Sequence, residues 1–421
     1  MATTLHPAAQ PTPLQETYIR AFWRFILWFE DKVNRAFNNR LNPFYYHGAL
    51  PNFFLFTLFA TGILLMFHYV PVRPRAYMEI QFLTRQVPFG LWMRGVHRYA
   101  ADGMMICVLV HMFRVWFTDR YRGARILPWL TGVALLWLLY IVGITGYMLI
   151  WDGRAQIVTK MTMKMFEWWP MLVGITIGSS KEITDYTLSR FFSYHIGLAL
   201  GIFFFLVLHY IRLYKPKTAT PMPLWMLFLG LTFFIAGAVP VTNDIETKPI
   251  FPGTGDMVAG DFSRDSGKLL EGADTNIDAR VADAGKNLGS GNQDFTVDWL
   301  YMWPYGLYYA VGPTAFWLFS GFIVVLLFVP YFVKTQRPFA YVIEEACVGC
   351  QLCYLDCPFN AIEMIEKPSL KKGRKPKLLA IVYEARCTSC GVCVGSCAYE
   401  AIEIPRVRSQ EIEAAVASLC S

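Results

Sequence analysis

The chain has 421 residues, of which 55% are hydrophobic, 16% aromatic and only 16% charged, with a formal net charge of +7. Soluble domains carry about a quarter charged residues, so this composition excludes an ordinary soluble protein and points to a membrane protein. The modest positive balance is not a nucleic-acid footprint, and the polar, Pro-rich first fifteen residues lack the apolar core of a cleaved signal peptide, so none is expected.

In chain order, "ETYIRAFWRFILWFEDKVNRAFNNR" (16–40) mixes charged residues with Trp and Phe at near-helical spacing. It reads as an amphipathic helix lying on the membrane surface, or as an extension of the first span. Six apolar runs then approach the length a bilayer needs: 50–70, 92–117, 127–150, 191–213, 223–241 and 306–333, the fifth being the shortest. The expected fold class is a mainly α membrane protein with six transmembrane helices and a small α+β domain at the C-terminus. Loop charge sets the expected orientation. Arg114, Arg120, Arg122 and Arg125 cluster in one loop and Arg212, Lys215 and Lys217 in another, which places both in the cytoplasm. The segment 242–298 carries eleven acidic and five basic residues and belongs outside. With six spans, both termini face the cytoplasm of a prokaryotic inner membrane. The basic loop 71–94 pulls against this orientation.

The second and fourth runs carry histidines. His97 and His111 are fourteen residues apart, and so are His195 and His209. Fourteen residues return an α-helix to within roughly 40° of the same face, about 21 Å further along. Each helix therefore projects two imidazoles from one side at two depths. Ionisable groups at membrane depth are costly and mark function. Opposed imidazoles across a wide gap fit the axial positions of a haem iron. Gly48 and Gly62 repeat the spacing in and beside the first run, and Gly132 and Gly146 in the third. Glycine lets a backbone approach the flat face of a haem. The pattern describes a four-helix bundle holding two stacked haems.

The stretches "FATGILLMFHY", "FGLWMRGVHRYAADGM", "HMFRVWFTDRYRGARILPWLTGV", "GITGYMLIWD" and "LSRFFSYHIGLAL" resemble the cytochrome b family of the quinol–cytochrome c and plastoquinol–plastocyanin oxidoreductases. The resemblance covers residues 45–215. It implies that His97 pairs with His195 around a haem near the outer face, and His111 with His209 around a haem near the cytoplasm. It also implies that Arg98, Arg114 and Arg190 neutralise haem propionates, interfacial snorkelling being the plainer account of each. In "TVDWLYMWPYG", Val297, Asp298, Trp299 and Leu300 stand where the family has its Pro-Glu-Trp-Tyr quinol motif. Asp298 keeps a carboxylate able to accept a quinol proton, or is simply an interfacial acid. The missing Pro and Tyr argue against an ordinary outer quinol site. Tyr46 stands where the plastoquinol branch attaches a further haem to Cys, so no covalent haem is expected.

Eight of the ten cysteines fall between 347 and 397, as "CVGCQLCYLDCP" and "CTSCGVCVGSCA". Each run is C-x2-C-x2-C-x3-C, the pattern of bacterial two-cluster ferredoxins. In that pattern three ligands come from one run and the fourth from the other. Cys347, Cys350, Cys353 and Cys397 would hold one 4Fe–4S cluster, and Cys387, Cys390, Cys393 and Cys357 the second. "PFNAIEMI" and "AYEAIEI" repeat one another, and "KPSLKKGRKPK" between them is a solvated loop or a docking patch for an acidic partner or anionic lipid.

The organisation expected is an N-terminal segment (1–44), a di-haem domain (45–215), two further spans with an acidic outer loop (216–333) and a ferredoxin domain (334–421). The thirteen residues before Cys347 span at most about 45 Å, which tethers that domain near the His111–His209 end. No G-x-G-x-x-G follows a strand, so no nicotinamide or flavin site is expected here. These features point to electron exchange between a cytoplasmic low-potential carrier, or a flavin or iron–sulfur subunit, and the quinone pool. The chain would work among further subunits and, by family resemblance, as a homodimer. A cytochrome b of a modified Rieske complex and a wiring anchor that binds no quinone are the competing readings.

Overall fold

The computed structural model describes residues 28–29, 32–37, 41–72, 75–117, 121, 125–166, 169–176, 185–211, 218–239, 241, 300–312, 314–332, 339–357, 359–367, 377–384, 386–387 and 391–404. Among them the helices are α1 (Leu50–Met66), α2 (Arg75–Arg85), α3 (Gly90–Phe117), α4 (Ile126–Ile150), α5 (Gly153–Phe166), α6 (Pro170–Thr176), α7 (Asp185–Tyr210), α8 (Met222–Ala238), α9 (Trp303–Val311) and α10 (Thr314–Phe332). Three stretches, Gly90–Trp116, Ile126–Ile150 and Tyr186–Tyr210, are long and apolar enough to cross a membrane. The apolar helices Leu50–Met66, Met222–Ala238 and Trp317–Tyr331 are shorter than the roughly 20 residues a span needs.

Local chemistry sets the ends of these helices. Pro51 lies in the first turn of α1, where its missing N–H costs nothing. Trp151 ends α4 in a left-handed conformation (φ 56°), and Asp152 then accepts from the Ala155 N–H at 2.8 Å to start α5. Gly90 opens α3 where a Cβ would fall 1.9 Å from the Leu83 carbonyl oxygen, so only glycine admits this turn from α2. The last apolar run divides rather than forming one helix. Gly312 breaks it with φ 69°, and α10 resumes at Thr314.

Helix α1 packs along α3, and α4 along α7. The core between them includes Phe54, Met105, Leu136, Tyr140 and Phe191. Tyr301, almost completely buried, inserts from the segment before α9. Its hydroxyl donates to Ala101 O (2.9 Å), and its backbone carbonyl accepts from the Tyr140 hydroxyl (2.7 Å).

The C-terminal domain contains β1 (Tyr341–Val342), α11 (Leu352–Asp356), β2 (Ile362–Lys367), β3 (Lys377–Val382), α12 (Val392–Gly395) and β4 (Ile402–Glu403). Strand β2 pairs antiparallel with β3, and β1 with β4, so the first half closes on the second. The repeat seen in the sequence recurs in the backbone at an offset of forty residues. Gln351 and Gly391 both have positive φ ahead of their helices, as do Asn360 and Glu400 beyond them. The Ala361 and Ala401 N–H groups each donate to a cysteine sulfur, Cys357 and Cys397, at 3.3 Å.

Candidate redox centres

The four helix histidines face one another in two pairs across α3 and α7. The ring centres of His97 and His195 are 6.4 Å apart, and so are those of His111 and His209. Two metal–nitrogen bonds of about 2.0 Å, each with about 1.1 Å from nitrogen to ring centre, sum to about 6.2 Å. The separations therefore fit one six-coordinate metal held between each pair.

A threonine before three of the four glycines fixes the imidazole tautomer. Thr61 Oγ1 lies 2.9 Å from His97 Nδ1, Thr131 Oγ1 3.1 Å from His209 Nδ1 and Thr145 Oγ1 3.3 Å from His195 Nδ1. Each hydroxyl already donates to a carbonyl one turn back: Thr57, Leu127 and Ile141 respectively. The oxygen is left to accept, so Nδ1 carries the proton and Nε2 keeps its lone pair. His195 Nδ1 also donates to Val142 O at 2.9 Å. His111 differs, because His47 stands before its glycine.

The glycines make room for the imidazoles. A Cβ on Gly48 would meet His111 Cε1 at 3.2 Å, on Gly62 His97 at 3.4 Å, on Gly132 His209 at 3.2 Å and on Gly146 His195 at 3.0 Å. Each glycine thus backs one ring, and the fourteen-residue period of the glycines follows that of the histidines. A cavity of about 450 Å³ opens around His97 and His195, inside the roughly 300–1,000 Å³ range of small-molecule sites. Arg98 lines it, ion-paired with Asp102 and with its guanidinium 4.8 Å from the Tyr147 ring centre. Arg94, at the end of the basic stretch 71–94, is 93% buried and lines the same cavity. Its place three residues before His97 was the signal, since that spacing shares a helix face. Arg114 donates to Phe44 O at 2.6 Å, near the other pair. Arg190 sits half-buried on α7 and does not line the cavity. Asp298 lies outside the described residues.

In the C-terminal domain the cysteines gather across the two runs. One small cavity is lined by Cys347, Cys350, Cys353 and Cys397, the other by Cys357, Cys387 and Cys393; Cys390 lies outside the described residues. Burial pushes the Cys353 thiol up to about 11, and the sulfurs of Cys397, Cys347 and Cys350 add to the effect. Such crowding suits thiolates compensated by a metal cluster. Among the described residues no three His, Cys, Asp or Glu side chains converge as ligands of a single ion would. A cubane, with one cysteine at each of four corners, asks for the wider spacing.

The family described as cytochrome b/b6/petB matches residues 32–217, and a 4Fe–4S dicluster domain matches residues 346–401. Cytochrome b6 of Synechococcus elongatus is 30% identical over 197 residues, which are 46% of this chain and 92% of that protein. Cytochrome b6 of Prochlorothrix hollandica is 30% identical over 209 residues, 46% of this chain and 94% of that protein.

The chain belongs to the cytochrome b/b6 family.

A solved structure described as a hyperthermophilic respiratory Complex III aligns with a TM-score of 0.48 and 17% identity, covering 73% of this chain and 82% of that one. Membership of the cytochrome b family implies haem b, and the C-terminal domain implies 4Fe–4S clusters. Together they make this an integral membrane protein of electron transfer, of the quinol oxidoreductase type.

Proposed function

We propose that this cytochrome b carries electrons between a cytoplasmic low-potential donor and the quinone pool, through two 4Fe–4S clusters and two b haems. The observation that carries the reading is the pair of 6.4 Å imidazole separations, each backed by glycine, in one chain with a domain whose eight cysteines fall in two runs. His97 and His195 would hold one haem in a four-helix bundle with His111 and His209 holding the other. Cys347, Cys350, Cys353 and Cys397 would hold one cluster, and Cys387, Cys390, Cys393 and Cys357 the other. The haems and clusters supply one-electron carriers at fixed positions. The chain's own residues hold them in a dry interior, with the Nδ1 protons fixed by threonine and carbonyl oxygens and with Arg94 and Arg98 offering positive charge at the cavity around His97. Asp298 is the candidate proton acceptor for a quinol on the outer side, and the six apolar runs would cross the inner membrane with both termini inside. Function within a larger complex, as a homodimer, completes the proposal.

Redox titration of the purified membrane protein, followed optically and by electron paramagnetic resonance, tests it. Two b haems and two cubanes per chain are expected, and fewer of either would overturn the reading. A quinone-site inhibitor that shifts a haem spectrum would separate a quinone-binding subunit from a wiring anchor. Co-purification of a Rieske protein would favour a modified Rieske complex.

A further inference from the structure

The two cysteine cages are not equivalent in their relation to the membrane helices. Arg125, the residue before α4, places its guanidinium carbon 4.0 Å from the ring centre of Phe359. Phe359 follows Cys357 by two residues and lines the cavity of the second cage together with Cys357, Cys387 and Cys393. A guanidinium at that distance over an aromatic face is a cation–π contact, and Phe359 makes it while packed against the cage. From Arg125, helix α4 leads in seven residues, about 10 Å of rise, to Gly132 behind His209. The first cage turns another way. Its Cys350 is exposed, and Val348 and Tyr399, which line it, are 51% and 52% exposed.

We infer that the Arg125–Phe359 contact seats the ferredoxin domain with the Cys357/Cys387/Cys393 cage toward the His111–His209 end, making that cage the relay to the membrane, and leaves the Cys347/Cys350/Cys353/Cys397 cage as the port for a soluble one-electron carrier. The inference rests on the proposed function and adds an order to it. One electron would pass at each contact: the carrier would be oxidised by a cluster held in the first cage, that cluster would pass the electron on to the relay cage's cluster, and the relay would give it to the haem held at His111 and His209. No bond is made or broken in these steps and no proton moves. Arg125 and Phe359 act as positioning residues, through the distance they fix.

The test uses the full-length protein with its cofactors in lipid nanodiscs, comparing wild type with Arg125→Glu, Arg125→Lys and Phe359→Leu. Amide hydrogen exchange reads the contact itself. Exchange over residues 359–362 should rise at least tenfold in Arg125→Glu, stay near wild type in Arg125→Lys, and remain unchanged over 347–353 in both. Stopped-flow reduction from the cubanes should show haem reduction slowed at least tenfold in Arg125→Glu and Phe359→Leu, with haem and iron content unaltered. Unchanged exchange at 359–362, a rise confined to 347–353, or unaltered haem reduction in both charge-reversed and Phe359→Leu proteins would overturn the inference. A wild-type protein without haem or cubane signals would instead overturn the proposed function, and the exchange measurement would still decide the contact.

Discussion

His47 stands with its ring centre 5.0 Å from that of His111, in the sequence position that threonine fills beside each of the other three facing histidines. His111 Nδ1 is buried without a hydrogen-bond partner among the described residues. Three imidazoles thus have an oxygen that accepts from Nδ1, and one has a second imidazole against it. An acceptor on Nδ1 makes the opposite nitrogen a stronger donor to a metal and favours the oxidised ion.

Replacing His47 with Thr should therefore lower the midpoint potential of the His111–His209 haem and leave the other haem where it is. A hydrogen bond with a net worth of about 1 kcal/mol corresponds to about 40 mV for a one-electron couple. Optical redox titration resolves the two haems. A shift confined to the His97–His195 haem, or no shift, would refute the account.

The glycines give a second prediction, graded by distance. Gly146→Ala brings a methyl to 3.0 Å from His195 Cε1, whereas Gly62→Ala brings one to 3.4 Å from His97. The first is overpacked and the second nearly ordinary contact. Overpacking of this kind costs about 1–3 kcal/mol. Pyridine haemochrome assay should find close to one haem per chain for Gly146→Ala and close to two for Gly62→Ala. Equal haem contents in the two variants would mean that the ring-backing role is wrong.

Tyr301 and Gly143 give a third. A Cβ at Gly143 would fall 2.2 Å from Tyr301 Cε1, and that ring is almost completely buried, with the Tyr140 and Tyr147 ring centres 5.9 and 6.2 Å from its own. Gly143→Ala should expel Tyr301 from its place, at a cost of about 1–3 kcal/mol. The expected result is a lower thermal midpoint, largely restored when Tyr301→Ala is added. If the double variant melts lower than Gly143→Ala alone, by more than the loss from Tyr301→Ala in the wild type, the two residues do not share that space.

Much of this arrangement was legible because a fourteen-residue period survives folding. It returns His97 and His111 to one face of α3, and His195 and His209 to one face of α7, whatever the loops do. The glycines carried the same period, but the imidazole beside each was not readable: a missing Cβ says that something approaches, and coordinates add that a histidine ring is there. The threonines were overlooked although Thr-Gly recurs at 61, 131 and 145, because a threonine bonded to its own helix backbone is commonplace in membrane helices. No long apolar run announces α2 and α5, which are short and mixed in polarity, or α6, which has only seven residues. The break at Gly312 was available in the Gly-Pro pair at 312–313, which marks a turn even inside an apolar stretch.

The last prediction concerns the crossed cages. Cys397 closes a cavity with Cys347, Cys350 and Cys353, although it lies in the other run, and Ala401 N–H donates to its sulfur. Cys397→Ser should therefore cost the chain one cluster, leaving one cubane signal in the reduced protein and removing the broadening that two nearby spins impose. Which cluster is lost decides between crossed and separate ligation. Under crossed ligation, Cys397→Ser with Cys350→Ser removes the same single cluster, and Cys397→Ser with Cys387→Ser removes both. Had each run held its own cluster, the first pair would remove both and the second pair only one. Spin quantitation of the two double variants gives opposite answers in the two cases, and iron analysis of the same samples, at about four irons per cluster retained, checks the count independently.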